Sequence, residues 1–259
     1  VLNKSVPEAR GEIVFFSDCS SMLKPNAVRL MMENFADPQV GGVCGSYRVV
    51  NPDQADIGQQ EDFYWRYETA LKNLESSADS ILGAHGQIHA LRRELYSPPH
   101  PRTVNDDFVI PMRVVAQGYR EVYDPRAQAV EEAREMTGFR RRIRITAGNI
   151  QQLGEIWHLL RGRRWVPLFC MLSHKLTRLL VPFAMMAAVV LNAFLLDAGL
   201  LYQATAAGQG VFYALVAAGG LWPLRPKILR LPYYFCMVNA SIFAGMYHAI
   251  QGRRNMAWK

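Results

Sequence analysis

Residues 12–20 read Glu-Ile-Val-Phe-Phe-Ser-Asp-Cys-Ser, a short apolar run that ends in polar residues. An uninterrupted apolar run of this length is typical of a strand that is buried on both faces of a sheet. Asp18 then falls just past the carboxyl end of the predicted strand, which is where α/β sheets bind their ligands. A carboxylate here can cap a helix or bind a cation such as Mg²⁺ or Mn²⁺, and the local sequence leaves both roles open.

The sequence around this strand predicts strands and helices in alternation. Apolar composition predicts the strands, and apolar residues at helical spacing predict the helices. The predicted elements are strands at residues 12–16, 40–50, 87–91 and 119–123, and helices that begin at Lys24-Pro25 and that cover residues 57–82 and 105–117. This alternation indicates an α/β fold in which helices pack against a sheet.

A second acidic motif, Asn105-Asp106-Asp107, precedes the apolar run at residues 108–110. Its first reading is structural, because acidic residues and Asn commonly begin a helix. Neighbouring residues on a helix point in different directions, so at most one of the two carboxylates faces a given site. The other one is then available to stabilise the helix.

The charge falls into three blocks along the chain. Residues 1–138 carry 14 Lys and Arg against 20 Asp and Glu, residues 139–178 carry 9 against 1, and residues 179–259 carry 6 against 1. A basic protein can bind nucleic acid, but here most of the basic excess lies beside apolar segments. The distribution therefore indicates a membrane protein and no nucleic-acid partner.

Three uncharged windows cover residues 179–196, 198–224 and 231–252. About 20 apolar residues are needed for a helix to cross a bilayer, and the first and third windows each fit one span. Polar residues and glycines in the second window confine its predicted span to residues 209–224. The alternative is a buried hairpin in a soluble helical domain, but three such windows favour about three membrane spans.

The basic residues before the first window predict the orientation. The positive-inside rule places residues 139–178 in the cytoplasm, and residues 157–165 have the composition of an amphipathic interfacial stretch with its arginines at lipid headgroups. Arg253 and Arg254 would then lie outside if the third window crosses completely. The side of the C-terminus therefore stays open.

Four motifs follow one another in a familiar order. They are Asp18-Cys19-Ser20, Gly83-Ala84-His85-Gly86 with Ala90-Leu91-Arg92-Arg93, Asn105-Asp106-Asp107, and Arg141-Arg142-Ile143-Arg144. In this order and spacing the chain resembles the membrane-bound family 2 inverting glycosyltransferases with the GT-A fold. The resemblance implies a GT-A-like (Rossmann-like) mixed sheet, followed by an interfacial helix and C-terminal transmembrane helices.

The resemblance also implies a division of the chain. Residues 1–138 would be the C-terminal part of the catalytic domain, residues 139–178 basic interfacial helices, and residues 179–259 the transmembrane region. In the family, strands that precede the D-x-D strand form the nucleotide-base pocket, and only Leu2-Asn3 of the segment before that strand is present here. We therefore expect the sequence to be N-terminally truncated.

The family motifs imply roles for eight residues. Asp18 would bind a divalent metal, Mg²⁺ or Mn²⁺, and the donor diphosphate, and Asp107 would be the catalytic base with Asp106 in support. Arg141 and Arg144 would stabilise the leaving diphosphate. The residues on the acceptor side would be Gly83, His85 and Gly86. A single positioned base suffices for inversion in one step.

Three positions depart from the family pattern. Ser20 replaces the second carboxylate of the D-x-D motif, and Arg141 and Ile145 replace the Gln and Trp of the Q-x-x-R-W motif. Ser is a poorer metal ligand than Asp. An additional arginine could offset a weakly held metal.

The leading hypothesis is a hexosyltransferase in the inner or plasma membrane. It would move a sugar from a nucleotide-sugar donor to a lipid or polysaccharide acceptor at the cytoplasmic face, by single-displacement inversion. The alternative is a non-catalytic membrane scaffold or partner protein on a degenerate glycosyltransferase fold. The three departures suit that alternative, whereas the presence of Asp18, Asp106 and Asp107 favours the enzyme.

Overall fold

The structure is a computed structural model that describes residues 1–50, 58–101, 103–132, 146, 148–222 and 227–250. The chain forms two compact units. The first contains Val1–Met136 and Gln151–His174, and the second contains Thr137–Ile150 and Lys175–Lys259.

A five-stranded mixed sheet is the centre of the first unit. Its strands are β1 (Ile13–Phe16), β2 (Met22–Leu23), β3 (Val40–Val50), β4 (His89–Arg92) and β5 (Arg120–Glu132). They lie in the order β1-β4-β3-β5-β2. β3 and β5 are parallel, and the other neighbouring pairs are antiparallel.

Helices cover the sheet and extend the first unit. They are α1 (Leu2–Glu8), α2 (Ala27–Asn34), α3 (Gly58–Ala78), α4 (Asp106–Ala116), α5 (Glu155–Arg161) and α6 (Trp165–Cys170), and a π-helical segment, Met171–Leu176, follows α6. The α/β architecture predicted from the sequence is confirmed. The alternation of apolar runs and helical periodicity carried that prediction because each element has its own local signal.

Two element boundaries differ from the prediction for physical reasons. The third helix ends at Ala78 because the chain then turns onto the sheet, where the Ile81 N–H donates to the Glu121 C=O at 2.9 Å. β5 continues to Glu132, past the turn-like Asp124-Pro125, because an irregularity there lets the strand resume. The partner of Gly45 on β5 is Asp124, and the partner of Ser46 is Gln128.

Apolar side chains pack on both faces of the sheet. On one face α2 inserts Met31, which is fully buried, into a cluster with Val43, Ile88 and Ala129. Burial of a side chain of this size contributes about 1.5–3 kcal/mol. A separate cluster joins α4 to α5 and α6, with Phe108, Met112, Leu159 and Leu168 among its members. This cluster orients α4, whose first turn carries Asp106 and Asp107.

The second unit contains three long helices, α7 (Thr177–Phe194), α8 (Leu200–Leu221) and α9 (Leu231–Ile250). Among the described residues, two helical stretches are long and apolar enough to cross a membrane, Trp165–Phe194 and Leu200–Leu221. The third predicted window forms α9. The arrangement of about three spans stays a prediction.

α8 begins well before residue 209, where the sequence predicted its membrane span to start. Polar side chains in its first half are accommodated by hydrogen bonds to α7. Thr205 Oγ1 lies 3.1 Å from the Asn192 amide, and the Gln209 side chain lies 3.4 Å from the same amide. Hydrogen bonds of this kind let polar residues lie inside apolar helix pairs.

Candidate functional site

The end of one strand and the turn before another lie at the same edge of the sheet. In the register of the strands, His89 lies opposite both Phe16 and Cys44, and Cys44 lies opposite Tyr123. Because β4 runs antiparallel to β1 and β3, the turn that leads into β4 lies at the edge where β1 ends, beside residues 44–45 of β3. The topology therefore brings Asp18 and the glycine turn, residues 83–86, to the same edge of the sheet.

Asp18 lies in an exposed turn just past β1. Its C=O accepts a hydrogen bond from the Ser21 N–H at 3.1 Å, and the next helix begins only at Ala27, with Asn26 at its N-cap. The helix-capping role that the sequence left open is therefore wrong. The ligand-binding role stays a prediction.

The donor atoms near Asp18 bear on the metal that the resemblance implies. Among the residues that the structure describes, no group of three or more His, Cys, Asp or Glu side chains could hold a metal ion. Magnesium is commonly held by one or two carboxylates, with water and substrate phosphates completing its coordination. One carboxylate at Asp18, with Ser20 nearby in sequence, fits a divalent ion that binds together with a diphosphate and does not fit a preformed metal cage.

The glycine turn is fastened to the beginning of α4. Gly83 has φ +78°, and a Cβ atom there would lie 2.7 Å from Cδ2 of Phe108. The Ala84 N–H donates to the Asp107 C=O at 2.8 Å, and a Cβ atom on Gly86 would lie 3.8 Å from the Cβ of Asp107. The turn and Asp107 are thus direct neighbours.

The two carboxylates at the start of α4 have different environments. Oδ1 of Asp106 accepts the backbone N–H of Asp107 at 3.1 Å, so this side chain binds the helix start. The Asp107 side chain is exposed. The positive end of the helix dipole stabilises negative charge at both positions, and Asp107 is the more exposed of the two carboxylates.

The backbone of His85 binds a thiol, and its side chain lies near two aromatic rings. Its backbone N–H donates to Sγ of Cys44 at 3.1 Å, and its ring centroid lies 6.2 Å from that of Tyr47 and 6.3 Å from that of Tyr123. Burial raises the pKa of the Cys44 thiol to about 12, so the thiol is neutral at physiological pH. Cys44 supports the turn without adding a charge beneath it.

A buried histidine–glutamate hydrogen bond lies under the same face of the sheet and was missed by the sequence reasoning. Nε2 of His89 lies 2.9 Å from Oε1 of Glu121, and the His89 ring stacks on Phe16 at 5.6 Å. Phe16 ends the strand that leads to Asp18. Gly42 is the feature of the sequence that could have indicated this pair, because a glycine inside a strand marks the close approach of another group.

Arg141 and Arg144 lie outside the described residues, so their predicted contact with the leaving diphosphate stays a prediction. The placement of the described arginines corrects one expectation. Arg164 forms an ion pair with Asp79, and its Nη1 donates to the Gly118 C=O at 3.1 Å. It therefore binds the protein and is not a lipid-headgroup arginine.

The aromatic residues of the interfacial stretch are exposed. Trp157 and Trp165 are 57% and 63% exposed, and the Arg161 guanidinium lies 4.8 Å from the centre of the Trp157 ring. Arg161 and the two tryptophans thus have the combination of basic and exposed aromatic side chains that is typical of an amphipathic surface.

The fold of the chain is GT-A-like. A solved structure of the mannosyltransferase PcManGT from Pyrobaculum calidifontis, in complex with GDP-Man and Mn²⁺, matches 97% of this chain with a TM-score of 0.64 and 23% sequence identity. The chain spans 66% of the length of that protein.

The sequence comparison adds the family. Residues 1–97 match Glycosyl transferase family 2, and none of the curated proteins matches the chain. Over residues 1–97 the chain is therefore similar to the family 2 glycosyltransferases that the order of the motifs predicted, and its fold is similar to that of a solved mannosyltransferase.

Proposed function

We propose that the protein moves a hexosyl group from a nucleotide-sugar donor to a hydroxyl group of a lipid or polysaccharide acceptor. One observation carries the proposal: the 2.8 Å hydrogen bond from the Ala84 N–H to the Asp107 C=O, which holds the glycine turn against the exposed carboxylate of α4. An acceptor that lies on the turn therefore comes within reach of a base.

The chemistry is a single displacement that inverts the anomeric carbon. The acceptor oxygen attacks this carbon while the bond to the diphosphate oxygen breaks, and the nucleoside diphosphate leaves with the electron pair. Asp107 takes the proton of the acceptor hydroxyl, which a positioned carboxylate can do at a gain of about 10²–10⁴ in rate. Asp106 holds the backbone of Asp107 through its 3.1 Å hydrogen bond.

Asp18 would hold the diphosphate end of the donor through Mg²⁺ or Mn²⁺. A divalent ion at this point neutralises the charge that develops on the leaving group. We also assign Arg141 and Arg144 to this charge, since arginine forks match phosphate oxygens. The similar solved mannosyltransferase was determined in complex with GDP-Man and Mn²⁺, which supports a metal and a nucleotide-sugar donor in this protein.

We place the acceptor side at a membrane. Trp157 and Trp165 expose the type of side chain that is enriched at bilayer interfaces, and two helical stretches can span a bilayer. The basic excess in residues 139–178 favours a cytoplasmic catalytic part in an inner or plasma membrane. Residues 1–138, 139–178 and 179–259 would serve as catalytic part, interfacial segment and membrane region.

The test is release of nucleoside diphosphate by the full-length protein in membranes, with a panel of nucleotide sugars and Mn²⁺ or Mg²⁺. An Asp107→Asn variant should lower transfer by about 10²–10⁴. The matched control is Asp197→Asn, an exposed carboxylate of the second unit, which should transfer like the parent. If the folded, inserted parent releases no diphosphate from any donor, the non-catalytic scaffold becomes the better explanation.

A further inference from the structure

α3 carries three charged side chains that are buried, Glu68, Lys72 and Glu75. Their spacing places them on one face of the helix. A charge is costly to bury unless it has hydrogen-bonding partners. The partners of these residues therefore show which part of the protein this face of α3 binds. The proposed catalytic chemistry uses none of the three.

Glu75 joins two separate parts of the first unit. It is 5% exposed, and its Oε2 accepts the Leu82 N–H at 3.0 Å. Its Oε1 lies 3.3 Å from Nδ1 of His174. A carboxylate accepts hydrogen bonds, so this contact is a hydrogen bond in the tautomer of His174 that carries its hydrogen on Nδ1.

Lys72 binds a peptide group of the glycine turn itself. Its Nζ donates to the Gly83 C=O at 2.7 Å, and this bond is buried. α3 therefore binds the Leu82 N–H through Glu75 and the Gly83 C=O through Lys72. The next residue, Ala84, is the one whose N–H binds the backbone of Asp107.

His174 lies in the π-helical segment Met171–Leu176. A π-helical turn inserts an extra residue into a helix and is frequent at functional sites. The His174 side chain is 12% exposed, which shields its bond to Glu75 from water and strengthens it. Hydrogen bonds thus link His174 to Glu75 and Glu75 to the Leu82 N–H, the backbone leads from Leu82 to Ala84, and a further hydrogen bond links Ala84 to Asp107.

We propose that His174 is a positioning residue for transfer. It holds the Glu75 carboxylate in the orientation that fixes the Leu82 N–H, and the glycine turn in turn holds Asp107 beside the acceptor. This role rests on the proposed function, since a positioned base matters only if the protein transfers a sugar. The Asp18 turn lies on a different part of the chain and does not take part in this series.

Two substitutions of His174 separate positioning from general stability. His174→Ala removes the donor to Glu75, and we expect kcat for transfer to fall at least about tenfold, because hydrogen bonds to buried charged groups are strong. The KM for the donor should change less than about twofold. His174→Asn can place its amide nitrogen near the position of Nδ1, and it should restore most of kcat.

The matched control is His158→Ala, which removes an exposed histidine of α5 and should leave kcat and KM unchanged. Equal losses of kcat in His174→Ala and His174→Asn would overturn the proposal. So would a loss confined to the KM for the donor.

A second measurement does not depend on activity. Hydrogen exchange in the full chain in detergent micelles should become at least about tenfold faster at the amides of Leu82 and Ala84 in His174→Ala, and not in His158→Ala. Unchanged exchange at these amides would overturn the positioning role. If the parent transfers no sugar but the exchange changes as expected, the proposed function fails and the coupling of His174 to the turn stands.

Discussion

Glu121 lies directly over the backbone of Gly42, because a Cβ atom on Gly42 would stand 2.7 Å from Cδ of the Glu121 carboxyl group. The same carboxyl group is bonded to His89 at 2.9 Å. The sheet therefore keeps a buried acid–imidazole pair between its strands only because one residue of β3 has no side chain.

Gly42→Ala should destabilise the first unit. The added methyl group overlaps a buried carboxylate, and crowding of a packed interior costs about 1–3 kcal/mol. The measurement is the free energy of unfolding in urea, followed by tryptophan fluorescence. A Glu121→Ala change removes the carboxylate that the methyl group meets, so the double variant should be no less stable than Glu121→Ala alone. Additive losses in this cycle would contradict the steric explanation.

Gly83→Ala should impair both the fold and the site. The residue has φ +78°, and its Cβ would meet the Phe108 ring, so we expect a loss of more than about 1 kcal/mol in stability together with loss of transfer. Gly86→Ala is the matched control, because its Cβ would make an ordinary contact at 3.8 Å with the Cβ of Asp107. It should keep the melting temperature of the parent and raise the KM for the acceptor. A Gly83→Ala protein with the parent's melting temperature would contradict this account of the turn.

Asp124 should make the stability of the first unit sensitive to acid. Burial alone would raise the pKa of its carboxyl group, but hydrogen bonds from Arg126 and Asn34 outweigh burial and lower the pKa below its ordinary value. A carboxyl group whose pKa is lowered by folding stabilises the protein above its unfolded pKa, near 3.8, and loses that contribution as the pH falls through the folded value. Asp124→Asn should therefore be less stable than the parent at pH 7, and the difference should shrink below about pH 4. Melting temperatures between pH 3 and 7 measure this, and a difference that does not vary with pH would contradict it.

The strands and helices could be predicted because their signals are local. The apolar run that ends at Phe16 and the helical spacing in α4 each specify an element without reference to the rest of the chain. β2 could not be predicted in this way. It contains only Met22 and Leu23, and it exists because these residues pair with Val130 and Ala129 of a strand far along the chain.

The candidate site shows the same division. Asp18 and Asp107 stand at the ends of predictable elements, so their positions could be inferred from the sequence. The positions of the groups that support the glycine turn could not be inferred in this way. Cys44 and His174 are far from residues 83–86 in sequence. Only the strand register brings Cys44 to the turn, and only the path of the chain after α6 brings His174 to Glu75.

Asp106→Asn and Asp107→Asn should separate support from catalysis. Asn at position 106 keeps an oxygen that can accept the Asp107 N–H, and it loses only the interaction of a charge with the helix dipole, about 0.3–1 kcal/mol. Transfer should therefore fall less than about tenfold in Asp106→Asn. Asn at position 107 cannot take the proton of the acceptor, and transfer should fall by about 10²–10⁴. Both variants should bind the donor like the parent, as measured by titration calorimetry. The reverse order of activities would make Asp106 the base, and equal small losses would remove both carboxylates from the chemistry.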